Sequence, residues 1–253
     1  QSLAVAYLGG HSWATVGSVD DGTQDFVARA FLGWGQEQGA SPRFGGCYLP
    51  FGSPLNMNWT AAGAAGETIT ADLRWQITTA AALRSYTRDD IASQPTIDAC
   101  NAAFSVSVTA GGVLTAPDVG FRVRLSDYDQ PGVVNATAIH ELEVRLTTTG
   151  FRMWDTIAGA QVGSDQLFDL LTEPGWFLVA LRKSAGGNGE AALWYGRETG
   201  PLRRLQVKLR TATLADDSGA NPANQSRIQW GNLAVANATS EWGPVGFNFY
   251  AHA

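Results

Sequence analysis

The feature that most restricts this chain is a period of two in its hydrophobic pattern, clearest at His140-Glu141-Leu142-Glu143-Val144-Arg145-Leu146-Thr147. Leu142, Val144 and Leu146 fall on one side of an extended backbone, and Glu141, Glu143, Arg145 and Thr147 fall on the other. That is the pattern of a half-buried strand. Thr148-Thr149-Gly150 supplies a turn, and Phe151-Arg152-Met153-Trp154-Asp155 returns as the second arm of a hairpin. A second hairpin follows, in which residues 176–181 pass through the glycine-rich stretch 184–189 into Glu190-Ala191-Ala192-Leu193-Trp194-Tyr195.

Further runs read as strands at 3–8, 26–32, 73–78, 104–109, 121–126, 205–211, 228–235 and 245–250. The arginines of Phe121-Arg122-Val123-Arg124-Leu125 form the polar side of one of them. Only residues 80–90 read as a short helix. Short strands with one apolar face each must bury it against one another, so the expected fold is all-β, an antiparallel β-sandwich of jelly-roll type, in a single domain over 1–253. With 29 glycines and 10 prolines the composition suits a fold of many turns.

A net charge of −6 argues against nucleic acid and anionic membranes as partners. No apolar run reaches the ~20 residues of a membrane-spanning helix, so membrane insertion is not expected. The two cysteines, Cys47 and Cys100, form either one disulfide or two buried thiols, which their spacing does not decide. Four glycosylation sequons, at Asn58, Asn135, Asn224 and Asn237, read as ordinary loop sequence.

The stretch 33–66 is irregular yet carries Trp34, Phe44, Tyr48, Phe51 and Trp59. Large apolar patches rarely stay uncovered, so these five aromatics are expected partly at a subunit interface of a homo-oligomer.

Several groupings suggest chemistry. Gly10-His11-Ser12-Trp13-Ala14 has the shape of a nucleophile elbow, with His140 or His252 as the base, but no strand–helix alternation surrounds it. Glu141 and Glu143 emerge from one strand face about 7 Å apart, within the range of a glycosidase pair. With Arg145 beside them, they are expected to be a solvated, partly ion-paired surface. Asp20-Asp21, Asp127-Tyr128-Asp129 and Asp216-Asp217 offer oxygen ligands that calcium accepts, although Asx turns account for them equally well, and no other cofactor is expected.

From about 138 to 253 the chain resembles a concanavalin A-like, laminin G-like lectin jelly roll. The resemblance rests on the hairpin His140 to Asp155, the strand 176–181 with its turn into Ala192-Leu193-Trp194-Tyr195, and the closing pieces Ile228-Gln229-Trp230-Gly231 and Trp242-Gly243-Pro244-Val245-Gly246-Phe247. The arginine-, alanine- and glycine-rich style also resembles tailed-phage virion proteins of tail tips, fibres and head decoration. These resemblances imply a virion or extracellular protein that binds a cell-surface glycan or other virion proteins and performs no chemistry. A carbohydrate-active enzyme and a secreted adhesion domain are the alternatives. The residues expected to meet a ligand are Trp154, Asp155, Trp194, Tyr195 and Trp242.

Overall fold

In a computed structural model of the chain, residues 4–8, 12–16, 41–48, 53–57, 59–88, 99–126, 137–183, 189–197, 201–209, 212–214 and 226–251 are described. They form β1 (Ala4–Leu8), β2 (Ser12–Val16), β3 (Ser41–Tyr48), β4 (Thr60–Gly63), β5 (Gly66–Ile69), β6 (Trp75–Arg88), β7 (Ala99–Ala110) and β8 (Val119–Ser126). Then follow β9 (Thr137–Leu146), β10 (Gly150–Asp155), β11 (Ala160–Leu167), β12 (Gly175–Lys183), β13 (Gly189–Gly196), β14 (Arg203–Leu209), β15 (Ala212–Leu214) and β16 (Arg227–Ala251). Every strand pairing is antiparallel, and among the described residues the only helical element is the short 3-10 turn Pro54–Met57.

The main ladder runs β11-β10-β9-β8-β16-β7-β12-β13-β14. It folds over on itself at β16, as one distance demonstrates. Trp230 pairs with Phe121 on β8, and Val245 pairs with Phe104 on β7. Fifteen residues of straight strand would separate those two rungs by about 50 Å. Instead the Phe104 and Phe121 rings stack with centroids 4.1 Å apart. The two halves of the ladder are therefore facing layers, and the architecture is an antiparallel β-sandwich.

The fold-over is built where the register of β16 against β6 slips between Asn232 and Ala238. Gly231 has φ +122°, and a Cβ there would sit 2.6 Å from the Arg84 carbonyl oxygen, so this position accepts only glycine. On β6, Ala81 takes φ 49° and its N–H donates to Asn237 Oδ1 at 2.7 Å. Asn232 ties the corner together, its amide donating to Thr79 Oγ1 and the Ala238 carbonyl while its Oδ1 accepts from Ser240 Oγ.

Between the layers lie Leu142, Val144, Leu146, Phe121, Val123 and Trp230 from one side and Phe104, Val106, Phe177, Val179, Leu193 and Phe247 from the other, all buried. Each set has the period of two that the sequence shows.

Several expectations are corrected here. Within the span expected to be helical, residues 80–88 are strand: β6 continues to Arg88, because pairing along β16 outweighs the mild helix preference of alanine and arginine, and residues 89–90 lie outside the described residues. The runs at 228–235 and 245–250 are parts of one 25-residue strand. The stretch 33–66 is not wholly irregular, since it contains β3 and β4. Trp59 is no interface residue; it is buried, edge-on to Trp230 at 5.7 Å and Phe247 at 5.8 Å. Trp34, Phe51 and the side chains of Phe44 and Tyr48 lie outside the described residues, as does the expected strand at 26–32.

Cys100 is a buried free thiol, so the disulfide alternative with Cys47 falls. The register explains it. Cys47 sits beside Gly246 while Cys100 sits beside Phe249, on opposite flanks of β16. Two strand spacings and three residues separate them, roughly 14 Å, twice the reach of a disulfide. Burial pushes the Cys100 thiol well above its ordinary pKa, which leaves it unreactive.

Candidate functional site

The polar side of β9 faces away from the core, and the antiparallel register lays it against the polar sides of its neighbours. Glu143 stands opposite Arg122 on β8 and Trp154 on β10, and Arg122 stands opposite Gln229 on β16. One pleat repeat along, Glu141 stands opposite Arg124, and Arg124 opposite Arg227. One row of side chains thus crosses four strands and the other three.

Glu143 is fully buried between two guanidiniums, pairing through Oε2 with Arg122 Nε and through Oε1 with Arg145 Nε at 2.5 Å. Glu141, 3% exposed, accepts from Arg124 Nε at 2.6 Å and Arg227 Nη2 at 3.4 Å on Oε2, and from the Thr156 hydroxyl at 2.6 Å on Oε1. Arg145 also donates to the Thr115 carbonyl at 3.0 Å and lies 3.8 Å from the centroid of the half-buried Trp154 ring. Arg122 reaches Gln229, which in turn donates to Ser85.

The electrostatics follow from this packing. Burial pushes the Glu141 carboxyl up, but the charges of Arg124 and Arg227 and the hydrogen bonds from Thr156 and Arg124 outweigh it, holding the carboxyl below its ordinary value. Burial draws Arg227 below its ordinary value; Glu141 opposes this, and Arg124 and Arg122 reinforce it. Asp118, near Arg145, is raised by burial against that arginine's charge.

Glu141 therefore contributes stability above its unfolded pKa, and this is lost as pH falls through its lower folded pKa. Acid unfolding of the wild type should steepen below pH 4.5, the ordinary glutamate value. Glu141→Gln should flatten that part of a stability-against-pH curve measured by urea unfolding. Equal slopes in the two proteins would refute the assignment.

The structure corrects the picture of Glu141 and Glu143 as solvated surface. It also removes them as a glycosidase acid–base pair. A general acid needs a raised pKa and a free proton to give, whereas the Glu141 carboxyl is depressed and both carboxylates are engaged by arginine. His140 is buried against Gly189, on the strand side opposite the two glutamates. Ser12 opens β2, the antiparallel partner of β1, so it stands in a hairpin and not at the strand-to-helix turn an elbow requires. His252 and the three aspartate groupings considered for calcium lie outside the described residues.

Of the expected ligand residues, Trp154 alone stands on this polar face and is partly open to solvent. Asp155 is buried and caps the next turn by accepting from the Ile157 and Ala158 N–H groups at 3.0 and 2.9 Å. Trp194 is buried, with Arg204 5.4 Å from its ring centroid. Tyr195 is a core residue whose hydroxyl donates to Gln166. Trp242 is buried in β16 and donates to Ser240 Oγ at 2.9 Å. The site residues that sequence reasoning missed are Arg227, Gln229 and Thr156.

No protein-family model matches the chain. No curated protein matches it. Among solved structures it is similar to a carbohydrate esterase of the Shiga toxin-encoding bacteriophage phi24B, at 10% identity and TM-score 0.48, over 83% of this chain and 99% of that one. It is also similar to the PL-14 alginate lyase from Aplysia kurodai, at 10% identity and TM-score 0.44, over 82% of this chain and 99% of that one. Lectin I from Ulex europaeus is similar at 10% identity and TM-score 0.40, over 81% of this chain and 96% of that one. At such identity the likeness concerns fold alone. The expectation that this chain performs no chemistry is corrected at this point. Structures similar to it include an esterase and a lyase as well as a lectin.

Proposed function

We propose that the protein recognises a glycan on the polar face of β10, β9, β8 and β16, as a surface component of a tailed-phage virion. The observation that carries this reading is Trp154. Its ring is fixed from one side by Arg145 at 3.8 Å, is partly open to solvent, and heads a row of hydrogen-bonding side chains formed by Glu143, Arg122 and Gln229. An indole held in place offers a flat apolar surface to a sugar ring, and the partly exposed Arg122 and Gln229 beside it offer hydrogen-bonding groups for hydroxyls. The virion setting is supported by the arginine-, alanine- and glycine-rich style of the sequence.

A glycan array probed with the full chain should show saturable binding, and Trp154→Ala should weaken it about tenfold, close to 1.4 kcal/mol, while the protein stays folded at the assay temperature. The bound glycans should be followed for chain cleavage and ester hydrolysis in the same incubation. Absence of binding across the array, or full binding by Trp154→Ala, would overturn the proposal. Mass spectrometry of purified particles tests the virion placement.

A further inference from the structure

The second row of the polar face is unbalanced in charge. Arg124 and Arg227 are neighbours across β8 and β16, and both turn to one oxygen, Glu141 Oε2. Arg124 holds it at 2.6 Å and Arg227 only at 3.4 Å, while the other oxygen is taken by Thr156. One carboxylate thus serves two guanidiniums, and among the described residues one positive charge is left over.

Arg227 carries the shortfall. Its Nε is buried and has no hydrogen-bond partner among the described residues, an exception to the rule that buried donors are paired. Its pKa is drawn down by burial, and the charges of Arg124 and Arg122 add to the effect. Yet the side chain keeps 20% of its surface exposed, and that of Arg124 keeps 12%, so the pair remains within reach of solvent. A buried ion pair is stable only when its remaining donors find acceptors.

Resting on the proposed glycan recognition, we infer that this pair is an anion subsite and that the recognised glycan is an acidic one, whose sugar carboxylate docks on Arg227. A carboxylate presents two oxygens in one plane, which matches the paired N–H donors of a guanidinium. It also brings the single negative charge the row lacks. By strand spacing and rise, the Trp154 backbone lies about 16 Å from that of Arg227. A short oligosaccharide spans that distance, with one ring on the indole and a carboxylate at the far end.

The test uses the full chain and three polymers, polygalacturonate, polyglucuronate and polysialic acid, each beside a counterpart whose carboxyl groups have been reduced to alcohols. Dextran sulfate serves as the non-carboxylate anion. Wild-type protein should bind at least one carboxylated polymer, with its reduced counterpart and dextran sulfate at least tenfold weaker. Arg227→Gln should lose about tenfold for that polymer while Asp165→Asn, at an exposed ion pair on β11, binds as wild type. The polymer comparison needs no variant, so a poorly folding Arg227→Gln does not blunt the test. Equal binding to a carboxyl-reduced polymer or to dextran sulfate overturns the inference, and so does full binding by a folded Arg227→Gln. If reduced polymers bind and Trp154→Ala abolishes that binding, glycan recognition stands and only the acidic subsite falls. If no glycan binds, both readings fall.

Discussion

Glu143→Gln should destabilise the chain by about 3–5 kcal/mol, a fall in thermal midpoint of roughly 10 °C for a protein of this size. Glu143 is fully buried and its two oxygens serve two different arginines, Arg122 and Arg145. Glutamine keeps the shape but removes the charge, and its amide group presents donors where one guanidinium also presents donors. Two arginines that are themselves largely out of water then lack a counter-ion, and Arg145 loses the anchor that holds it over Trp154. An exposed pair behaves differently. Asp165 pairs with Arg152 at 2.7 Å but is 41% exposed, and Asp165→Asn should cost under about 1 kcal/mol after solvent screening. Urea midpoints of the two variants decide the matter. A Glu143→Gln loss no larger than that of Asp165→Asn would mean that the polar face is an ordinary wet surface.

Much of the fold was legible because period two is a local signal. Leu142, Val144 and Leu146, or Phe121, Val123 and Leu125, declare their buried side within a few residues, and the structure buries all of them. What was not legible depends on distant pairings. Residues 80–90 look helical on propensity, yet those up to Arg88 form strand that pairs with β16, more than a hundred residues away in sequence. The bend in β16 is spread over Gly231, the slipped register near Ala236 and the Asn232 network, so the polar stretch around Asn237 reads as a loop although the strand passes through it. β11 escaped notice because it is an edge strand with mostly exposed residues and almost no alternation.

The site was half legible. Arg122-Val123-Arg124 and Glu141-Leu142-Glu143-Val144-Arg145 carry opposite charges at the same spacing, which suits neighbouring strands because opposite charges facing each other stabilise a sheet. That complementarity was the available signal for the ladder. Arg227 and Gln229 had none, since both arrive on β16 through tertiary register, and Thr156 meets Glu141 only through the geometry just past the end of β10. The tryptophans misled for a physical reason. Composition cannot separate an indole that plugs a sandwich from one that faces a ligand, and Trp59 and Trp242 are of the first kind.

The second large effect should come from Phe104, where the two layers meet. Its ring stacks on Phe121 at 4.1 Å and on Phe177 at 4.9 Å, with Trp242 at 5.8 Å. Phe177 is its neighbour on β12, but Phe121 belongs to the opposite layer, so this ring bridges strands that share no hydrogen bonds. Phe104→Ala removes the bridge and leaves a cavity that rings fixed on rigid strands cannot close, at a cost of about 3–5 kcal/mol. Phe104→Leu keeps most of the volume and should cost less than half as much, because what it loses is chiefly ring-to-ring geometry worth about 0.5–1.5 kcal/mol a pair. In urea titrations both variants should lower the midpoint and leave the slope unchanged, since the surface exposed on unfolding is the same. A loss below about 1 kcal/mol for Phe104→Ala would show that the layers are not held together at this point. A fall in slope would mean instead that the layers come apart in separate steps, with β16 the hinge between them.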